Sequence, residues 1–176
     1  MKRLLPLIGL VTSLSLTQAQ DFIANLDGAQ NGGGNRTGSG IINLTLADNT
    51  FTFTGSFSGL SGTVNNGGFH IHAPAPAGQN TGVLYPLFTS ITLGADNMSG
   101  TISGSQTLVE GQLGFTTAQQ IEQLNSGFWY FNIHSSTFGG GEIRGQILPV
   151  PEPSTMALAA LALGGLLAWN TRRRQG

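Results

Sequence analysis

The sequence predicts an all-β protein: an antiparallel Greek-key β-sandwich with one short helix, flanked by an N-terminal signal peptide and a C-terminal transmembrane helix. Three observations predict the body. Apolar and hydroxyl residues alternate with period two over several short runs, as half-buried strands require. Glycine clusters punctuate those runs at Gly32-Gly33-Gly34, Gly67-Gly68 and Gly139-Gly140-Gly141. A single internal segment carries a helix cap, and no fixed-period repeat points to a solenoid. Charged residues make up 9% of the 176, against about 25% in average chains. The net charge of −1 provides no basic field, which excludes nucleic acid as the main partner.

Taken in order, residues 1–19 read as a signal peptide. Lys2 and Arg3 supply the positive start, and Leu4 to Leu16 form an apolar stretch shorter than the ~20 residues of a membrane span. Thr17-Gln18-Ala19 then puts small residues at the two recognition positions, so signal peptidase is expected to cut between Ala19 and Gln20.

The body, residues 20–149, has seven carboxylates (Asp21, Asp27, Asp48, Asp96, Glu110, Glu122, Glu142) against Arg36 and Arg144, a charge of −5. It has no cysteine, so an exported domain of this size must be stable by packing alone. Strands are expected over 22–26, 42–46, 50–57, 68–72, 83–88, 100–103, 128–134 and 142–148. In the clearest of them Phe51, Phe53 and Phe57 share one face, and Ala47-Asp48-Asn49 before it reads as a hairpin turn. Thr116 to Leu124 carries a Thr-x-x-Gln capping box and stops before Gly127, so it is the one helix.

Residues 150–176 have a different character. Val150-Pro151-Glu152-Pro153 precedes an uncharged stretch from Thr155 to Trp169, and Arg172, Arg173 and Arg174 follow. As a helix that stretch is about 22 Å long, short for a hydrocarbon core of about 30 Å. The arginines would stay cytoplasmic and leave the body exported. The order Pro151-Glu152-Pro153, apolar helix, arginine cluster resembles the PEP-CTERM sorting signal of Gram-negative bacteria. The resemblance implies recognition by exosortase, a membrane cysteine protease. The chain would be anchored transiently in the inner membrane, lose its helix, and pass to the cell surface or extracellular matrix. That family commonly accompanies exopolysaccharide production, which makes exopolysaccharide or another matrix component an expected partner.

The body resembles the CHRD domain, named after repeats in chordin. The matching pieces are 22–28, 40–46, Gly59-Leu60, Gly68-Phe69-His70-Ile71-His72-Ala73, Phe128-Trp129-Tyr130-Phe131-Asn132-Ile133-His134-Ser135 and Gly141-Glu142-Ile143-Arg144-Gly145-Gln146-Ile147. One departure stands out: where the family has a Glu-Val-Pro-like step, this chain has Asn31-Gly32-Gly33-Gly34-Asn35.

Strand alternation sorts the polar residues of three of these runs. His70 and His72 share a face opposite Phe69 and Ile71; Tyr130, Asn132 and His134 oppose Trp129, Phe131 and Ile133; Glu142, Arg144 and Gln146 oppose Ile143 and Ile147. If the last two strands form a hairpin, Asn132 falls beside Arg144 and His134 beside Glu142. Two histidines at i, i+2 with a third nearby can converge on Zn or Cu, and a carboxylate could complete the set. Three readings stand open. The histidines are structural and Asn132, Glu142 and Arg144 form a surface polar cluster; or His70, His72 and His134 hold a metal; or this face contacts a glycan or another ligand. Gly68-Phe69-His70-Ile71-His72 also resembles the first copper-ligand strand of copper–zinc superoxide dismutases. The match stops there, because those enzymes need further histidines, a zinc-binding Asp and a disulfide. No Gly-x-Ser-x-Gly, His-Glu-x-x-His or phosphate loop is present, and no catalytic or cofactor-binding residue is expected. The expected function is a non-catalytic binding or structural domain, the alternative a metal-binding module that could be redox-active.

Overall fold

Alternation builds most of the sheet. The computed structural model describes residues 19–151 and Leu161. It has strands β1 (Gln20–Asp27), β2 (Ser39–Ala47), β3 (Thr50–Ser58), β4 (Val64–His72), β5 (Val83–Pro86), β6 (Ile91–Leu93) and β7 (Gly100–Thr107). Helix α1 (Thr117–Asn125) follows, then β8 (Tyr130–Ser135), β9 (Ile143–Gln146) and β10 (Leu148–Pro149). In the β2–β3 hairpin Ala47 faces Thr50, which leaves Asp48-Asn49 as a two-residue loop. Asp48 adopts φ 52°, a left-handed conformation that Asp tolerates better than most residues. The Thr116 hydroxyl accepts from the Gln119 amide at 3.2 Å, and the Thr116 amide donates to Gln119 Oε1 at 2.9 Å. The capping box is therefore the one the sequence predicts.

All pairings are antiparallel, in the order β5-β4-β8-β9-β1-β2-β3-β7-β6, with β10 also on β1. This corrects the expected sandwich of two separate sheets: one sheet curls until its halves face each other. Phe53 meets Phe131 at 6.0 Å and Phe69 at 6.2 Å, while Phe51 meets Trp129 at 5.8 Å and Tyr85 at 5.7 Å. These aromatics and the inward Ile and Leu residues form the core. The halves are joined where β9 meets β1, at the pair Asp27 and Arg144. A Cβ on Gly145 would lie 2.5 Å from the Asn25 carbonyl oxygen, so the close approach there requires glycine. The outer strands β5 and β6 follow one another in the chain through a 3-10 turn, Phe88–Ser90.

Other corrections are local. The strand expected over 83–88 ends at Pro86, and the one expected over 142–148 divides into β9 and β10. Its break is at Ile147, whose amide donates to Trp129 O. Three-residue β6 is too short to carry a periodic signal. Residues 1–18 of the expected signal peptide, the motif residues Glu152 and Pro153, and Arg172, Arg173 and Arg174 lie outside the described residues. So does the expected transmembrane helix except Leu161; among the described residues no helix is long and apolar enough to cross a membrane.

Candidate metal centre

The outer face of β4, β8 and β9 is polar by alternation, and registration brings its side chains together. His70 pairs with Asn132 and His72 with Tyr130. On the other side of β8, Asn132 pairs with Arg144 and Tyr130 with Gln146. The expected surface cluster is in fact buried: Asn132 is 4% exposed, Arg144 1% and Glu142 0%. Loops cover this face and supply its partners. His72 Nδ1–H donates to Thr81 O at 2.9 Å, and Gln146 Nε2 donates to Ala75 O and Gly127 O. Asn31, in the loop where the chain departs from the family pattern, donates from Nδ2 to Asn132 Oδ1 at 3.1 Å. Sequence reasoning marked Asn31 only through that departure and missed Gln79, Asn80 and Thr81, because loop residues have no periodicity to mark them.

The three histidines converge. Each of His70, His72 and His134 offers a ring nitrogen, and these atoms all lie within 4.8 Å of one another. The His70 ring centroid is 5.0 Å from that of His134 and 5.6 Å from that of His72. A tetrahedral zinc site with bonds of about 2.0–2.1 Å needs nitrogens roughly 3.3 Å apart, so the rings must close in on an ion. Two tautomers are fixed by carbonyl acceptors. Because Nδ1–H of His72 is held by Thr81 O, its Nε2 carries the lone pair, and that atom is buried without a hydrogen-bond partner among the described residues. His134 Nδ1–H donates to Gly139 O at 2.8 Å, and its Nε2 accepts from Asn132 Nδ2 at 3.0 Å. A ligating histidine held through its other nitrogen is the usual arrangement of a metal site. The His72 ring stacks on Tyr130 at 4.8 Å and 1°. Burial pushes its pKa below the ordinary histidine value, helped by the nearby His134 and Arg144, and outweighs the Thr81 carbonyl, which raises it. His72 therefore stays neutral, as ligation requires.

Glu142 stands apart from this set. Its Oε1 accepts from the Ser61 amide at 2.6 Å, in the β3–β4 connection. Arg144 hydrogen-bonds through Nη1 to Gln79 O and Asn80 Oδ1, so no hydrogen bond ties it to Glu142. The expected polar cluster thus divides into Asn132 beside His134, Arg144 under residues 79 and 80, and Glu142 under Ser61.

An antiparallel sheet curled on an aromatic core, with a buried polar face roofed by loops, defines the body as an all-β module that presents one polar site. Residues 22–147 match the model of the CHRD domain, and residues 149–174 match the PEP-CTERM protein-sorting motif. The first match covers well over half of the chain, which therefore belongs to the CHRD family. The second makes it a protein targeted to exosortase and, through it, to the cell exterior. No curated protein matches the chain.

Proposed function

We propose that this is an exported, exosortase-processed protein of the cell surface or extracellular matrix, whose CHRD domain is a non-catalytic binding and structural module. One observation carries the reading. The first strand starts at Gln20, the expected first residue after signal cleavage, and β10 ends at Pro149, where the sorting motif starts. The Val150 amide donates to Asp21 O at 2.8 Å, so both targeting segments leave from one end of the sheet. Cleavage at both ends would thus free a complete fold. Association with exopolysaccharide is supported by an exposed, uncharged hydroxyl face, on which Thr52, Thr54, Ser56 and Thr101 stand side by side on β3 and β7. Mass spectrometry of the exported protein tests the reading. The expected product starts at Gln20 and lacks residues beyond about Pro153. A mature protein that keeps Arg172, Arg173 and Arg174 in a host with active exosortase would overturn it.

The convergence of three imidazole nitrogens favours a second reading: the module holds Zn(II) or Cu(II) on His70, His72 and His134, and copper would make it redox-active. Titration calorimetry should then give one metal per chain, lost in each of His70→Ala, His72→Ala and His134→Ala. Metal binding no tighter than high micromolar at neutral pH would end this reading.

A further inference from the structure

We propose that Arg144 anchors a carboxylate-binding site beneath the loop of residues 76–82. The guanidinium is 1% exposed and is posed on two sides. Its Cζ lies 3.6 Å from the centroid of the Tyr130 ring. Its Nη1 donates to Gln79 O at 2.9 Å and to Asn80 Oδ1 at 3.1 Å. The other two nitrogens, Nε and Nη2, are buried and have no hydrogen-bond partner among the described residues. Those two belong to one edge of the group. Their N–H bonds run parallel, and this is the fork that a planar carboxylate engages with two hydrogen bonds.

The charge needs such a partner. A guanidinium does not give up its proton in a protein, so burial leaves a cation that must be compensated. The chain's own carboxylates at this point make no hydrogen bond to it, although Glu142 Oε2 is itself buried without a hydrogen-bond partner among the described residues. Asp27, directly across the β1–β9 pair, accepts from Gln30 N at 2.8 Å and Gln30 Nε2 at 3.0 Å. Glu142 accepts from Ser61. Access is short, because residues 76–80 are themselves exposed while Gln79 and Asn80 touch the guanidinium. Gly78 turns this loop at φ 81°. The loop's hydrogen bonds to the guanidinium use Nη1 alone, so a ligand on the Nε–Nη2 edge does not compete with them. The roof is uncharged and Arg144 supplies one positive charge, which suits a monocarboxylate, either free or borne by a uronic acid of a polysaccharide.

The test uses the full, nitrogen-15-labelled chain in detergent, following the arginine Nε–H resonances, with that of Arg144 assigned by its loss in Arg144→Lys. Formate and acetate are expected to shift this resonance saturably while chloride does not, and Arg144→Lys should weaken acetate binding about tenfold or more, since lysine keeps the charge and loses the fork. Glucuronate binding comparable to acetate would assign the site to sugar-borne carboxylates; binding of formate and acetate alone would assign it to small free ones. The proposal is overturned if no carboxylate gives a saturable shift, if chloride acts equally well, or if Arg144→Lys binds acetate within about twofold of the parent. Should Arg144→Lys fail to fold, the Nε–H resonance is assigned instead by its nuclear Overhauser contacts with the Tyr130 ring, against which the guanidinium lies, and the parent chain's response to acetate against chloride decides alone. Neither sorting nor metal binding enters this readout.

Discussion

Asn132→Ala should tighten zinc binding at the histidine centre. Asn31 holds the Asn132 amide by its Oδ1, which turns Nδ2 toward His134. There Nδ2 donates to Nε2, the one ring nitrogen of His134 with a lone pair, because Nδ1–H is spent on Gly139 O. An ion on that nitrogen must displace the asparagine. A hydrogen bond of this kind is worth about 1 kcal/mol net, so its removal should improve affinity about fivefold. The Gly139 bond still orients the ring, and the ligand set is unchanged. Most substitutions around metal ligands act oppositely, weakening binding about 10–100-fold by releasing the ligand's orientation. Calorimetric titration of the full chain with Zn(II), in competition with a chelator, measures the difference. A weakening of about tenfold would show that Asn132 positions His134 rather than competes with the ion. An unchanged affinity would show that His134 ligates without giving up this bond. Either result refutes the reasoning.

Three further predictions follow from the same geometry. Gln120, fully buried, accepts from Tyr85 OH and donates to Val109 O and Phe115 O. Gln120→Ala removes all three bonds, at about 3 kcal/mol, and calorimetry should show the melting temperature fall by roughly 10 °C. His72 has a depressed pKa in the folded state, so between that value and the unfolded value of about 6.5 the unfolded chain binds more protons. Stability should be full above about pH 6.5 and decline as pH falls through the folded pKa, and urea denaturation at a series of pH values should show a shallower decline for His72→Gln. Gly145→Ala should cost more stability than any other single methyl added to β9, because its Cβ meets the backbone of β1; loss of cooperative unfolding in circular dichroism is the expected outcome.

Much of this was legible in the sequence, and the limit has a physical cause. Period-two alternation assigned the faces of Phe69 to His72 in β4 and of Tyr130 to His134 in β8, since successive strand side chains must point opposite ways. The Thr116 cap was legible because its bonds are local. The C-terminal sorting motif needed only composition and order, and the Gly-Glu-Ile-Arg-Gly and His-Ile-His runs carried the family. What only the tertiary structure decided is the environment of the polar face. Alternation says that His72, Asn132 and Arg144 turn away from the core, and by itself that reads as exposure. Whether such a face meets solvent depends on the loops around residues 31 and 79–81, which are drawn over it by hydrogen bonds to residues up to 116 positions away. The curl of the sheet was equally hidden, because it turns on the junction of β9 with β1, two strands at opposite ends of the body. Local sequence fixes which way a side chain points; only long-range packing decides whether water or protein lies there.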